Sequence, residues 1–206
     1  MSIVKLNNRG VRSATTFGSI SGLGEMRFIK KITASSSSTI SFVDGTSDVV
    51  LDNTYKEYLF TFNNIHPSVD GEKCGFQGNA AGGSGFNETM TTTNFRAIHA
   101  EADNDQELSY VASEDQAQGT GLTLIAQSQD TDNDSSLSGF LHLFNPSSTT
   151  FVKHFISRVS VMKNGNYAAE TNAAGYFNTT SAIDEIQFNY NSGNIDAGDI
   201  CLYGIK

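Results

Sequence analysis

From residue 26 onward the apolar positions come in short runs and in alternations of period two, the spacing of half-buried strands. Met26-Arg27-Phe28-Ile29-Lys30-Lys31-Ile32 and Ser38-Thr39-Ile40-Ser41-Phe42-Val43 are β-rich runs separated by a serine tract, and the second closes on the turn-forming pair Asp44-Gly45. Tyr58, Phe60 and Phe62 project to one face of a further strand while Glu57, Thr61 and Asn63 project to the other, until Pro67 ends the pairing. Gly75, Gly78, Gly82, Gly83 and Gly85 predict a long surface loop, with strands after it near 94–100, 109–111 and 122–126. Phe140 to Phe144 form a strand that stops at Asn145-Pro146. Phe151, Phe155, Val159 and Val161 are expected to face a core along a longer one. Ile186, Phe188 and Tyr190 alternate with polar residues, Ser192-Gly193-Asn194 makes a turn, and Ile200 to Ile205 form a last strand. With about eight to ten short strands and no sustained helical period, the pattern predicts an all-β fold. It favours a jelly-roll-like antiparallel β-sandwich over 26–206 rather than a barrel or propeller.

Residues 1–25 follow a different rule. Leu6, Val11, Phe17, Ile20 and Leu23 stand singly among polar residues and glycines, without a period. This predicts an extended N-terminal arm that orders on a neighbour, with Lys5, Arg9, Arg12 and Phe17 as its anchoring residues.

Charge sharpens that division. The chain of 206 residues has a net charge of -9, which argues against a nucleic-acid partner, since phosphate binding needs a clustered basic surface. Residues 1–31 nevertheless hold six Lys and Arg against Glu25 alone, a net of +5 that leaves -14 for the rest. No Lys or Arg occurs between Arg96 and Lys153. Charged residues are only 17% of the chain, and Ser, Thr, Asn and Gly supply most of the polarity, a composition of strands and turns. Fourteen Phe and seven Tyr bring enough apolar area to offset the entropy of ordering. Two distant cysteines, Cys74 and Cys201, do not make a disulfide framework and are read as reduced. The first residues leave no room for a signal-peptide apolar region, and no window approaches the ~18 apolar residues of a membrane span. The expectation is a soluble chain made in a cytoplasm, with no membrane insertion.

No constellation of catalytic residues stands out, and none is assigned. Ser84 sits in Gly82-Gly83-Ser84-Gly85-Phe86, where Phe replaces the last glycine of a nucleophile elbow, and the same cluster lacks the features of a phosphate-binding loop. His66, His99, His142 and His154 lack the spacing of a zinc site, although His142 and His154 fall on neighbouring predicted strands. Asp130, Asp132 and Asp134 alternate as calcium ligands do, but Ser135 and Leu141 stand where the calcium loop requires Gly and a bidentate Glu. A solvated acidic loop is the expected reading, with calcium the only cofactor entertained. Glu101, Glu107, Glu114 and Glu185 are the carboxylates open to glycosidase pairing, but the chain has no Trp for a sugar platform. Tyr110, Tyr167 and Tyr176, expected to be exposed, are candidates for weak glycan contact or for cross-strand packing.

Three stretches carry a family resemblance: Phe17-Gly18-Ser19-Ile20-Ser21-Gly22 with Thr54 to Pro67, Leu141 to Phe151, and the ending Gly193 to Lys206. They resemble small virion proteins of marine tailed bacteriophages, notably those of cyanobacteria. The resemblance covers most of 15–67 and 138–206, and its motifs are structural. It implies a non-enzymatic virion protein assembled in the host cytoplasm, with capsid or tail proteins as partners. The favoured form is a surface-exposed fibre or appendage subunit, a homotrimer held by its arm and open to host-surface glycan. The alternative is a capsid decoration protein that cements the head shell.

Overall fold

The computed structural model describes residues 26–206. The anchoring residues Lys5, Arg9, Arg12 and Phe17 therefore lie outside the described residues. Twelve strands build two antiparallel sheets: β1 (Met26–Thr33), β2 (Ile40–Val43), β3 (Glu57–Pro67), β4 (Cys74–Ala80), β5 (Met90–Ala100), β6 (Gln106–Tyr110), β7 (Thr123–Leu124), β8 (Leu137–Phe144), β9 (Lys153–Lys163), β10 (Tyr167–Phe177), β11 (Ile183–Tyr190) and β12 (Ile195–Ile205). No helix occurs among the described residues.

The pairing is nested. β1 pairs with β12, β2 with β11, β3 with β8 and β4 with β7, all antiparallel, and successive pairs fall alternately in the two sheets. A chain folded back on itself as one long ribbon and wound around a common core gives this arrangement, which is the jelly roll. Two hairpin insertions enlarge it. β5–β6 is inserted between β4 and β7, and β9–β10 between β8 and β11. Both join the β8 side, so one sheet grows to eight strands in the order β1-β12-β3-β8-β9-β10-β5-β6 while the other stays at β2-β11-β4-β7.

The core lies between the sheets and is aromatic. Along β9, Phe155, Val159 and Val161 point inward and are buried, while His154, Ile156, Arg158 and Ser160 point out. Phe188 of β11 reaches across from the small sheet, with ring centroids 5.3 Å from Phe60 and 5.2 Å from Phe62. Phe76 stands 4.9 Å from Phe155 in an edge-to-face pair. Such contacts add to the ~1.5–3 kcal/mol that burial of each large side chain contributes.

Two expectations from the sequence are corrected, and one strand it did not predict is added. The glycine-rich stretch is not one long loop: 75–80 belongs to β4, a buried strand covered on both sides. Its outer side is covered by loops, since Gln77 Nε2 donates to the carbonyls of Glu88, Thr120 and Gly121. The glycines allow close approach, because a Cβ on Gly75 would stand 2.6 Å from Leu122 Cγ and one on Gly78 2.9 Å from the Phe177 ring. The loop reading holds only for 81–89. Second, Phe151 does not face the core and is 70% exposed. The chain leaves the sheet before Lys153, where the Ser148 Oγ accepts the Phe151 N–H at 3.0 Å, and the buried Lys153 ammonium donates to the carbonyls of Phe151 and Thr179. The added strand is β10, which shows no apolar alternation because its inward positions are Ala169, Thr171, Ala173 and Gly175. They are small because the core beneath is already full: a Cβ on Gly175 would lie 3.0 Å from the Phe155 ring.

Candidate interaction surface

Strand direction divides the large sheet into two ends. β1, β3, β5 and β9 start, and β8, β10 and β12 finish, at one end, which therefore holds both Met26 and Lys206. We call this end proximal. The distal end carries the loops with Asp70, Glu101, Asp103, Asp105, Asp130, Asp132 and Asp134, most of them exposed.

The outer face of the eight-stranded sheet changes character between these ends. Phe28, Tyr203, Leu59, His142, Ile156 and Ala174 are successive register partners across six strands, a row with no Lys, Arg, Asp or Glu. Phe28 is 60% exposed and Ile156 49%, apolar side chains on a face that the period-two pattern of a half-buried sheet makes polar. Toward the distal end the corresponding row holds Ser138, Ser160, Glu170 and Ala97 and ends on Leu108 of β6, which is 76% exposed. Two ion pairs lie on this face, Arg158 Nε with Glu170 at 2.7 Å and Lys31 with Asp199 at 3.1 Å, and Glu57 stands 2.8 Å from His142 Nε2.

The other candidates from the sequence are placed as follows. In the loop before β8, the Asp132 N–H donates to Asp130 Oδ1 at 2.9 Å, and the Ser135 N–H donates to the Asp132 carbonyl at 2.8 Å. Among the described residues, no three His, Cys, Asp or Glu gather in an arrangement that could hold a metal. His142 and His154 do share a face on adjacent strands, but each is engaged with an aromatic ring, Phe144 at 4.2 Å and Tyr176 at 5.7 Å. Glu114 is buried and held by the Lys73 ammonium and by Gln127 Nε2, which donates to it at 2.8 Å. Glu107 meets Arg96, and Glu185 accepts from Asn79. Of the three tyrosines only Tyr110 is exposed. Tyr167 and Tyr176 are half-buried, the former donating its hydroxyl to Asp105 at 3.1 Å, and cross-strand packing accounts for both. Cys74 and Cys201 are buried, free and in different sheets, and burial pushes the Cys74 thiol up to about 12.

Several exposed carboxylates hold their charge more readily than usual. Asp199 is lowered first by the Thr33 hydroxyl and then by Lys31, Glu170 by Arg158, Glu107 by Ser109 and Arg96, and Asp52 by Thr54. Asp184 goes the other way because it is partly buried. A lowered folded-state pKa stabilises the protein above the ordinary carboxylate pKa of about 4, and the gain is lost as pH falls through the folded values. Protonation of Asp184 relieves a cost over the same acid range and opposes that loss. With four groups against one, the melting temperature is expected to fall steadily below about pH 4. A flat or rising profile in calorimetry would show that Asp184 outweighs the four.

Comparison with known proteins returns no matching family model, no similar curated protein and no similar solved structure. What defines the class of this protein is its fold, a jelly roll with an enlarged sheet.

The sequence reasoning did not find the apolar half of the outer face. Its residues come from six strands, and the only signal in the sequence was Phe28 and Ile156 standing on the polar side of their own alternations.

Proposed function

We propose that this chain is a structural subunit of a tailed-bacteriophage particle, a surface fibre or appendage subunit gripped through residues 1–25, with its sandwich held away from the attachment point. The observation that carries the reading is the polarity of the sandwich. The basic leader joins the sandwich at the end where the outer face is apolar, and a row of acidic loops occupies the opposite end. An arm that orders on docking gains a large wrapped area for the entropy it loses. The acidic distal loops then face solvent, where like charge keeps neighbouring particles apart. The jelly roll is a fold that viral shells use, which supports the reading by analogy of fold alone.

The test is a chain lacking residues 1–25, supplied during particle assembly in place of the full one. The truncated chain is expected to fold and to be absent from purified particles. Normal incorporation would defeat the anchoring role. Copy number from a particle reconstruction then separates the two virion readings: a few or a few dozen copies at the tail fit an appendage, and hundreds on the head fit decoration.

A further inference from the structure

We propose that the outer face of the eight-stranded sheet is a self-association surface of this chain, with its proximal half as the contact core. Three features lead to a second copy as the occupant.

The first is area. Seven strand spacings of about 4.8 Å and strands of about ten residues give a face on the order of 1,000 Å². A stable interface takes about 800 Å² from each partner. The apolar proximal half suits the core of such an interface, and the distal half, more polar except for Leu108, its rim.

The second is charge. Copies of a chain carrying -9 repel one another through most of their surface, and strongly through the distal acidic loops. The outer face is different, because Arg158 is answered by Glu170 and Lys31 by Asp199, which leaves Glu57, beside the His142 ring, as a strand carboxylate without a Lys or Arg. Two such faces meet with Glu57 on each as a strand carboxylate that no Lys or Arg answers, whereas a strongly basic or acidic partner would find little free charge to engage.

The third is shape. The proximal half is indented by a groove of about 470 Å³ lined by Phe144, His154, Ile156, Ala174 and Tyr176, with almost no polar surface. Phe28, 60% exposed, stands on the same half of the face. An apolar groove and an exposed apolar side chain on the same face suit the self-complementary contact of a symmetric oligomer.

The test is sedimentation of the full chain, with the fold followed by circular dichroism. The wild type is expected to sediment at a multiple of 22.2 kDa. Ile156→Glu puts a charge in the middle of the face and is expected to reduce the mass to that of one chain with the β spectrum unchanged. Phe28→Ser, at the sheet edge, serves the same purpose if Ile156→Glu fails to fold. Asn133→Glu, in the exposed loop before β8 and off the sheet face, is expected to leave the mass unaltered. A wild type that stays monomeric up to about 100 µM, where micromolar affinity would already be saturated, overturns the proposal and leaves the face to the leader or another virion protein. So does an Ile156→Glu or Phe28→Ser chain that folds and keeps the oligomeric mass. Neither outcome touches the anchoring role of residues 1–25, which is read from particle incorporation.

Discussion

A chain ending at Asn194 is expected to show no cooperative unfolding transition. The deleted segment is β12, which lies inside the eight-stranded sheet, hydrogen-bonded to β1 on one side and β3 on the other. Its removal takes Ile195, Ile200 and Leu202 out of the core and leaves two rows of backbone donors and acceptors without partners. β1 suffers most, because it pairs with no other strand. In a jelly roll the outermost pair of the ribbon closes the sandwich, so the loss cannot be confined to an edge. The measurement is a thermal melt followed by circular dichroism beside the intact chain. A truncated protein that melts sharply within a few degrees of the full one would mean that β1 and β3 close the sheet without β12.

Phe188→Ala is expected to be the most damaging single truncation of a core side chain, at about 3–5 kcal/mol. The ring is fully buried and lies within 6.3 Å of four other aromatic rings, Phe42, Phe60, Phe62 and Phe76. Phe60 and Phe62 belong to the large sheet and the others to the small one, so the ring ties the two layers together. The cavity left behind is walled by strands fixed through their hydrogen-bond ladders and has little freedom to collapse. A chemical denaturation curve gives the number directly. A loss below about 1 kcal/mol would show that neighbouring rings rotate into the space, which would make this core more plastic than its packing implies.

The features legible in the sequence share one property: they depend on neighbours along the chain. The alternations Tyr58-Phe60-Phe62 and Ile186-Phe188-Tyr190, the stop at Asn145-Pro146 and the turn at Gly193 all appear in the fold where the local pattern puts them. Where a strand's character came from distant contacts, the pattern misled. β4 is rich in glycine because Leu122 and Phe177 press against it, and β10 is lined with small residues because Phe155 fills the space beneath. Neither constraint lies within forty residues of β4 or within ten of β10, so no short local window records it. The candidate surface was hidden for the same reason: Phe28, Tyr203 and Ile156 become neighbours only through register.

By itself the sequence determined the all-β class, the positions of most strands and the contrast between a basic leader and an acidic body, since each follows from local periodicity, turn chemistry and the count of charges. Tertiary structure decided which strands pair, and with that the nested ribbon, the growth of one sheet to eight strands and the gathering of apolar side chains on its proximal outer face. The physical reason is that hydrogen bonds between strands carry no sequence code of their own. Partners are chosen by which pairing buries the most aromatic area, a property of the whole chain at once.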